Sequence, residues 1–85
     1  MSYRLEVVRK AQKQLARIQP QDRERIIGEI DVLAEDPKPP GSTKLKGYVS
    51  SWRIRVGDYR VIYELDETAG EIKVTRVAHR REAYR

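Results

Sequence analysis

Cysteine is absent from the 85 residues. That excludes disulfides, thiolate metal sites and cysteine nucleophile chemistry. Histidine occurs once, at position 79, so neither a histidine metal cluster nor a mechanism built on a histidine pair is available. No apolar run approaches the ~20 residues of a membrane span. The N-terminal MSYRLEVVRK lacks the apolar centre of a signal peptide, so the expected location is the cytoplasm, with no membrane partner. Also missing are a glycine-rich phosphate loop, a Ser/His/Asp set and a suitably spaced carboxylate pair. Glu64, Asp66, Glu67 and Glu71 crowd one turn and read as a solvated turn rather than a metal site. No metal and no small-molecule cofactor are expected.

What is present is charge, at 36% of the chain, and enough branched aliphatics for one small core. The length predicts one domain over residues 1–85, burying roughly 60% of its unfolded surface and modestly stable. The formal net charge is +5. Residues 1–36 carry seven basic and seven acidic side chains, and residues 37–85 carry eleven and six, so the whole excess lies in the second half. A basic excess confined to one part of a chain points to a polyanionic partner, nucleic acid first.

Tyr3–Val8 is rich in β formers and reads as a strand. From Arg9 the period changes. Ala11, Leu15 and Ile18 form one stripe of a helix whose other faces hold Arg9, Lys10, Lys13 and Arg17. Pro20 closes it and can open the next helix, about Gln21–Glu35, with Ile26, Ile27, Ile30, Leu33 and Ala34 as its apolar stripe. Gly28 weakens that helix by ~1 kcal/mol relative to alanine, which suggests close packing there. The break at Pro20 favours an antiparallel helical hairpin. Asp36–Thr43 (DPKPPGST) is the one breaker cluster. Period two follows over Trp52–Val56 and Tyr59–Leu65, joined by Gly57-Asp58, and a third strand runs over Glu71–Ala78. The expected fold is α+β: an N-terminal strand, an antiparallel helical hairpin, then a three-stranded antiparallel meander, with the helices on one face of the sheet.

A two-residue turn at 57–58 pairs Val56 with Tyr59, Arg55 with Arg60 and Ile54 with Val61. The 55/60 pair then lies on the face opposite the 56/59 and 54/61 pairs. Two guanidiniums stand directly opposite each other, with Arg53 two residues along the same face. Like charges directly opposite are destabilising. Either a small cost is tolerated or an anion is held there. The second turn is expected to pair Glu64 with Lys73 and hence Arg60 with Val77, bringing Arg80 toward Arg55 and Arg60. Lys44 and Lys46 enter the same sheet from the loop. A helical tail would put Tyr84 on one face with Arg80, and an arginine cluster with an aromatic suits an RNA strand. His79 reads as an orienting or packing residue.

Lys44-Leu45-Lys46-Gly47, Trp52–Tyr63 (WRIRVGDYRVIY) and Val77–Tyr84 (VAHRREAY) together resemble the RelE branch of the RelE/ParE toxin superfamily, over nearly the whole chain. The resemblance implies a RelE-like fold and the toxin of a type II toxin–antitoxin pair: an mRNA interferase, a metal-independent endoribonuclease that cuts mRNA in the ribosomal A site. It implies two partners, the ribosome with its mRNA and a small acidic RelB-like antitoxin. Carried over, the catalytic set is Arg53, Arg55, Arg60, Arg80 and Tyr84. Lys44, Lys46, His79 and Arg81, with Lys10, Lys13 and Arg17 of the first helix, are expected to contact RNA or the ribosome. Relatives often carry lysine at the positions of Arg53 and Arg55. Arginine essentially cannot lose its proton, so Arg55 is not expected to act as a general base. A non-enzymatic ParE-like inhibitor of DNA gyrase on the same fold is the alternative.

Overall fold

Three short-range signals build most of the architecture: a change of hydrophobic period at Arg9, a proline at the start of the second helix, and two glycine turns. A computed structural model describes residues 2–47 and 50–82. Strand β1 is Arg4–Val7, helix α1 Arg9–Ala16 and helix α2 Pro20–Leu33, followed by strands β2 Thr43–Lys44, β3 Ser51–Val56, β4 Tyr59–Asp66 and β5 Glu71–His79. Pro20 occupies the first turn of α2, where its missing N–H costs nothing.

The sheet has five strands in the order β1-β5-β4-β3-β2. The meander is as expected, but two features were not anticipated. β1 lies parallel to β5, with Arg4 opposite Glu71 and Val7 opposite Val74. The end of the breaker segment contributes the two-residue β2, which pairs with Arg53 and Trp52. Both helices pack on one face. Ala11, Leu15 and Ile18 from α1 and Ile26, Ile30 and Leu33 from α2 meet Ile54, Val56, Val61, Tyr63, Leu65, Ile72, Val74 and Val77.

The stripe on α2 is narrower than expected. Ile26, Ile30 and Leu33 are buried, whereas Ile27 is 42% exposed, because one residue's step rotates a side chain by ~100° off the seam. Gly28 also departs from expectation. It is exposed, and a Cβ built there meets nothing within 4 Å, so no close packing explains it. Gly28→Ala should therefore stabilise the protein by about 0.5–1 kcal/mol. A thermal melt should show a rise of a few degrees; an unchanged or lower midpoint would mean the position is constrained after all.

Tyr63 fastens the breaker segment to the sheet. Its ring is fully buried, and its hydroxyl donates to the Pro37 carbonyl at 2.7 Å. Nearby, the Lys38 ammonium sits 5.2 Å from the Trp52 ring centroid. Burial pushes the Tyr63 phenol up from 10.0 to about 12, with Asp36 adding to the rise and the Ser42 hydroxyl opposing it. The folded form thus holds this proton more tightly than the unfolded form. The resulting stability is fully present below pH 10 and is lost as pH rises toward about 12. Denaturant titrations from pH 9 to 12 should show that decline, and Tyr63→Phe should flatten it.

Candidate nucleic-acid interface

The tip of the β3–β4 hairpin sets the geometry. Gly57 has φ of 59° while Asp58 does not have positive φ, as a two-residue turn with glycine first requires. The pairs Val56–Tyr59, Arg55–Arg60 and Ile54–Val61 form as expected. Alternation then puts Arg53 and Arg55 of β3 with Arg60 and Ile62 of β4 on the face away from the helices.

At β5 the register departs from expectation. Glu64 does face Lys73, but Arg60 faces Ala78 rather than Val77. The cause is a bulge: Tyr63 pairs with Val74 and Ile62 with Arg76, so Thr75 is the extra residue. Its hydroxyl donates to the Ile62 carbonyl at 3.3 Å. The bulge keeps Ile72, Val74 and Val77 all buried and turns Arg76 to the outer face. Two rows cross that face: Arg53–Ile62–Arg76 and Arg55–Arg60–Ala78. Sequence reasoning missed Arg76. The signal for it was present, since the apolar residues of this strand are spaced two and then three apart, which a bulge explains.

Arg60 is the centre of the cluster. It is 8% exposed, the one buried charged residue among those described. The Nε of Arg53 is buried and has no hydrogen-bond partner among the described residues. Arg80 reaches the hairpin tip as expected: its backbone N–H donates to the Asp58 carbonyl at 2.7 Å, and its Nε lies 3.9 Å from Asp58 Oδ1. Arg76 donates to the Glu82 carbonyl at 3.2 Å.

Other expected residues lie elsewhere. Lys44 pairs with Trp52 and so shares the helix-side parity; it does not join the arginine face. Lys46 follows β2 and is exposed, as is Arg81. Lys10, Lys13 and Arg17 line a shallow depression on α1 with Arg9 and Gln14, across the sheet from the arginines. His79 pairs with Tyr59 and stacks edge-on against its ring, centroids 5.3 Å apart. It borders a helix-side pocket with Gln14, Arg17 and Glu82, and its Nδ1 accepts the Arg81 N–H at 3.3 Å. Tyr84 lies outside the described residues.

Gln14 protects the sheet at that pocket: its Oε1 accepts the backbone N–H of buried Val77 at 2.7 Å. Gln14→Ala would strand that donor and should cost about 1–3 kcal/mol in chemical denaturation. A loss under 0.5 kcal/mol would mean water replaces the amide.

Comparisons place these features among known proteins. The model of the family described as "ParE toxin of type II toxin-antitoxin system, parDE" matches residues 5–84. Among solved structures, a chain of the archaeal RelE–RelB complex from Pyrococcus horikoshii OT3 superposes with a TM-score of 0.83 at 29% identity, covering 94% of this chain and 97% of that one. A chain of the RelB–RelE antitoxin–toxin complex from Methanococcus jannaschii gives 0.77 at 28% identity, covering 93% and 94%. The isolated E. coli RelE toxin gives 0.80 at 21% identity, covering 98% and 96%, a likeness of fold. A search of curated proteins finds no match.

Proposed function

Because the chain belongs to the ParE toxin family of type II toxin–antitoxin systems, within the RelE/ParE superfamily, we propose that it is a RelE-like toxin that cleaves mRNA in the ribosomal A site. The observation that carries this reading is the guanidinium cluster on the sheet face away from the helices, with Arg60 buried at its centre. Electrostatic stabilisation of a developing charge works best from preorganised, partly desolvated donors.

The RNA 2′-hydroxyl attacks the adjacent phosphorus in line as the bond to the 5′-oxygen breaks. The products are a 2′,3′-cyclic phosphate and a free 5′-hydroxyl. Arg60 and Arg53 face the phosphoryl oxygens on which charge builds, with Arg55 beside them. Arg80 serves the leaving oxygen, and Tyr84 stacks on or orients a base. His79 sits on the other side of the sheet, and the carboxylate on the arginine face, Glu64, faces Ser51 and Lys73 rather than the arginines. Positioning of the RNA by the ribosome therefore supplies much of the rate, a contribution that reaches ~7–11 kcal/mol for well-oriented groups. Lys10, Lys13 and Arg17 form a second basic surface suited to ribosomal RNA. The partner in the producing cell is an acidic antitoxin, a reading supported by the likeness to toxin chains solved in RelE–RelB complexes.

Single-turnover cleavage on programmed ribosomes, with and without EDTA, tests this beside a melt of each variant. Arg60→Ala removes a like charge opposite Arg55 and leaves the helix-side core intact. It should fold yet lose ~10²–10³ in rate. Arg80→Ala should be similarly severe, Arg81→Ala mild, and His79→Ala intermediate at most. Near wild-type cutting by Arg60→Ala, or activity loss matched by unfolding, removes this face as the active site. Naked mRNA cut as fast as ribosomal mRNA removes the ribosome dependence.

The family's ParE name favours a second reading, a non-enzymatic inhibitor of DNA gyrase. Inhibition of supercoiling with intact translation would select it.

A further inference from the structure

We propose that Arg76 is a positioning residue for the cleavage step: by holding the Glu82 carbonyl, its guanidinium fixes the direction in which the chain leaves the turn after β5 toward Tyr84. This rests on the function proposed above.

One inserted residue puts Arg76 where it is. A regular ladder continuing from the Tyr63–Val74 pair would set Ile62 opposite Thr75 and Val61 opposite Arg76, and Arg76 would then point at the helices. The Thr75 bulge instead pairs Ile62 with Arg76 and Val61 with Val77. Val77 keeps its place in the core, and Arg76 goes to the outer face. Charge alone gives no reason for an arginine there. Arg53, Arg55 and Arg60 already crowd that face, and a further cation adds repulsion. Among the described residues no carboxylate pairs with Arg76. What it holds is a main-chain oxygen: its Nη2 donates to the Glu82 carbonyl at 3.2 Å. A charged donor makes the stronger kind of hydrogen bond.

The turn that follows β5 gives that bond its use. The Glu82 N–H donates to the His79 carbonyl at 2.8 Å and the Arg81 N–H to His79 Nδ1 at 3.3 Å. Both bonds are internal to the turn. Its near end is fastened to the hairpin tip, where the Arg80 N–H bonds to the Asp58 carbonyl at 2.7 Å and the Arg80 Nε lies 3.9 Å from Asp58 Oδ1. Its far end, Glu82, is exposed. Among the described residues, Arg76 supplies the one hydrogen bond between Glu82 and the strands below the turn. Arg80 is thus placed without Arg76, whereas the chain after Glu82 takes its starting point from it. The Glu82 carbonyl also belongs to the planar peptide group that begins the next residue, so holding it sets heading as well as origin. Tyr84 is two residues further on, and two residues reach at most about 7 Å. A ring that orients a base works only while it is held near its working geometry, since a displacement of ~1 Å can cost ~10²-fold in rate.

Backbone ¹⁵N relaxation on the free protein and single-turnover cleavage on programmed ribosomes test this with Arg76→Ala. The side chain lies outside the core, so the variant should melt within a few degrees of the wild type. Arg76→Met, which keeps the long apolar stem without the donors, guards against a packing effect and should behave the same way. In both variants the order parameters of Arg81 and Glu82 should fall from near the rigid value of about 0.85 toward the flexible range below about 0.6, while that of Arg80 stays high. At saturating ribosomes the cleavage rate should drop roughly tenfold, with the half-saturating ribosome concentration within about twofold of the wild type. In a Tyr84→Ala background the same substitution should change the rate by less than about twofold, because no ring is left to position. Unchanged order parameters overturn the inference. So does a Tyr84→Ala protein that cuts at the wild-type rate, a raised half-saturation with an unaltered rate, or activity lost in step with the melt. A full loss repeated in the Tyr84→Ala background overturns it too, and makes Arg76 a direct contact to RNA. Wild-type protein that leaves ribosomal mRNA uncut removes the proposed function instead; the order parameters, measured without ribosomes, keep that failure apart from the absence of the tie.

Discussion

Everything on the outer face follows from one constraint, the pairing of Arg55 with Arg60 across a turn that allows no slippage. A two-residue turn with glycine at positive φ leaves one register, and a slip of one residue would carry every apolar side chain of β3 and β4 to solvent. Burial of Ile54, Val56, Val61 and Tyr63 therefore holds two guanidiniums face to face. The core works against the repulsion and prevails, because each buried aliphatic contributes roughly 1.5–3 kcal/mol and like-charge neighbours on a sheet cost only ~0.2–1 kcal/mol. The cluster is a by-product of packing on the opposite side.

The parts of the molecule legible in the sequence are those governed by local chemistry. The α1 stripe, the start of α2 at Pro20, the hairpin register and the Glu64–Lys73 pair all depend on residues close in the chain. What escaped depends on distant pairing or on one inserted residue. Nothing near Arg4 announces a parallel partner some 67 residues on. β2 is only two residues long and exists because Arg53 and Trp52 present an edge to it. The Thr75 bulge shifts the outer row from Val77 to Ala78 and brings in Arg76, which changes the candidate site. His79 and Lys44, expected among the contacts to RNA or the ribosome, lie by strand parity on the helix side of the sheet rather than beside the arginines.

The zero net charge of residues 1–36 also takes a different meaning in three dimensions. It is a segregation, not a mixture. α1 with Arg17 carries Arg9, Lys10, Lys13 and Arg17 and no acid. α2 and the two acids shortly after it carry Asp22, Glu24, Glu29, Asp31, Glu35 and Asp36 against Arg23 and Arg25. A molecule charged this way presents two basic surfaces, α1 and the sheet face, and one acidic flank. In a polyanionic cleft such a body has a preferred orientation before any contact forms. The exposed Ile27 and Val32 lie on that acidic flank, where RNA phosphates are repelled.

Repulsion held in place by the core has a consequence for binding. The free protein keeps Arg53, Arg55, Arg60 and Arg76 near one another, with Arg60 largely stripped of water. Any anion seated among them relieves that repulsion as well as making its own contacts, and it meets donors that need no further ordering. A phosphate and a carboxylate benefit from the same relief, so under the proposed function the substrate and the silencing partner compete for one store of electrostatic energy. The carboxylate differs in being able to bring a backbone with it. A polypeptide can therefore add hydrogen bonds from its own amides to a charge contact that RNA also makes.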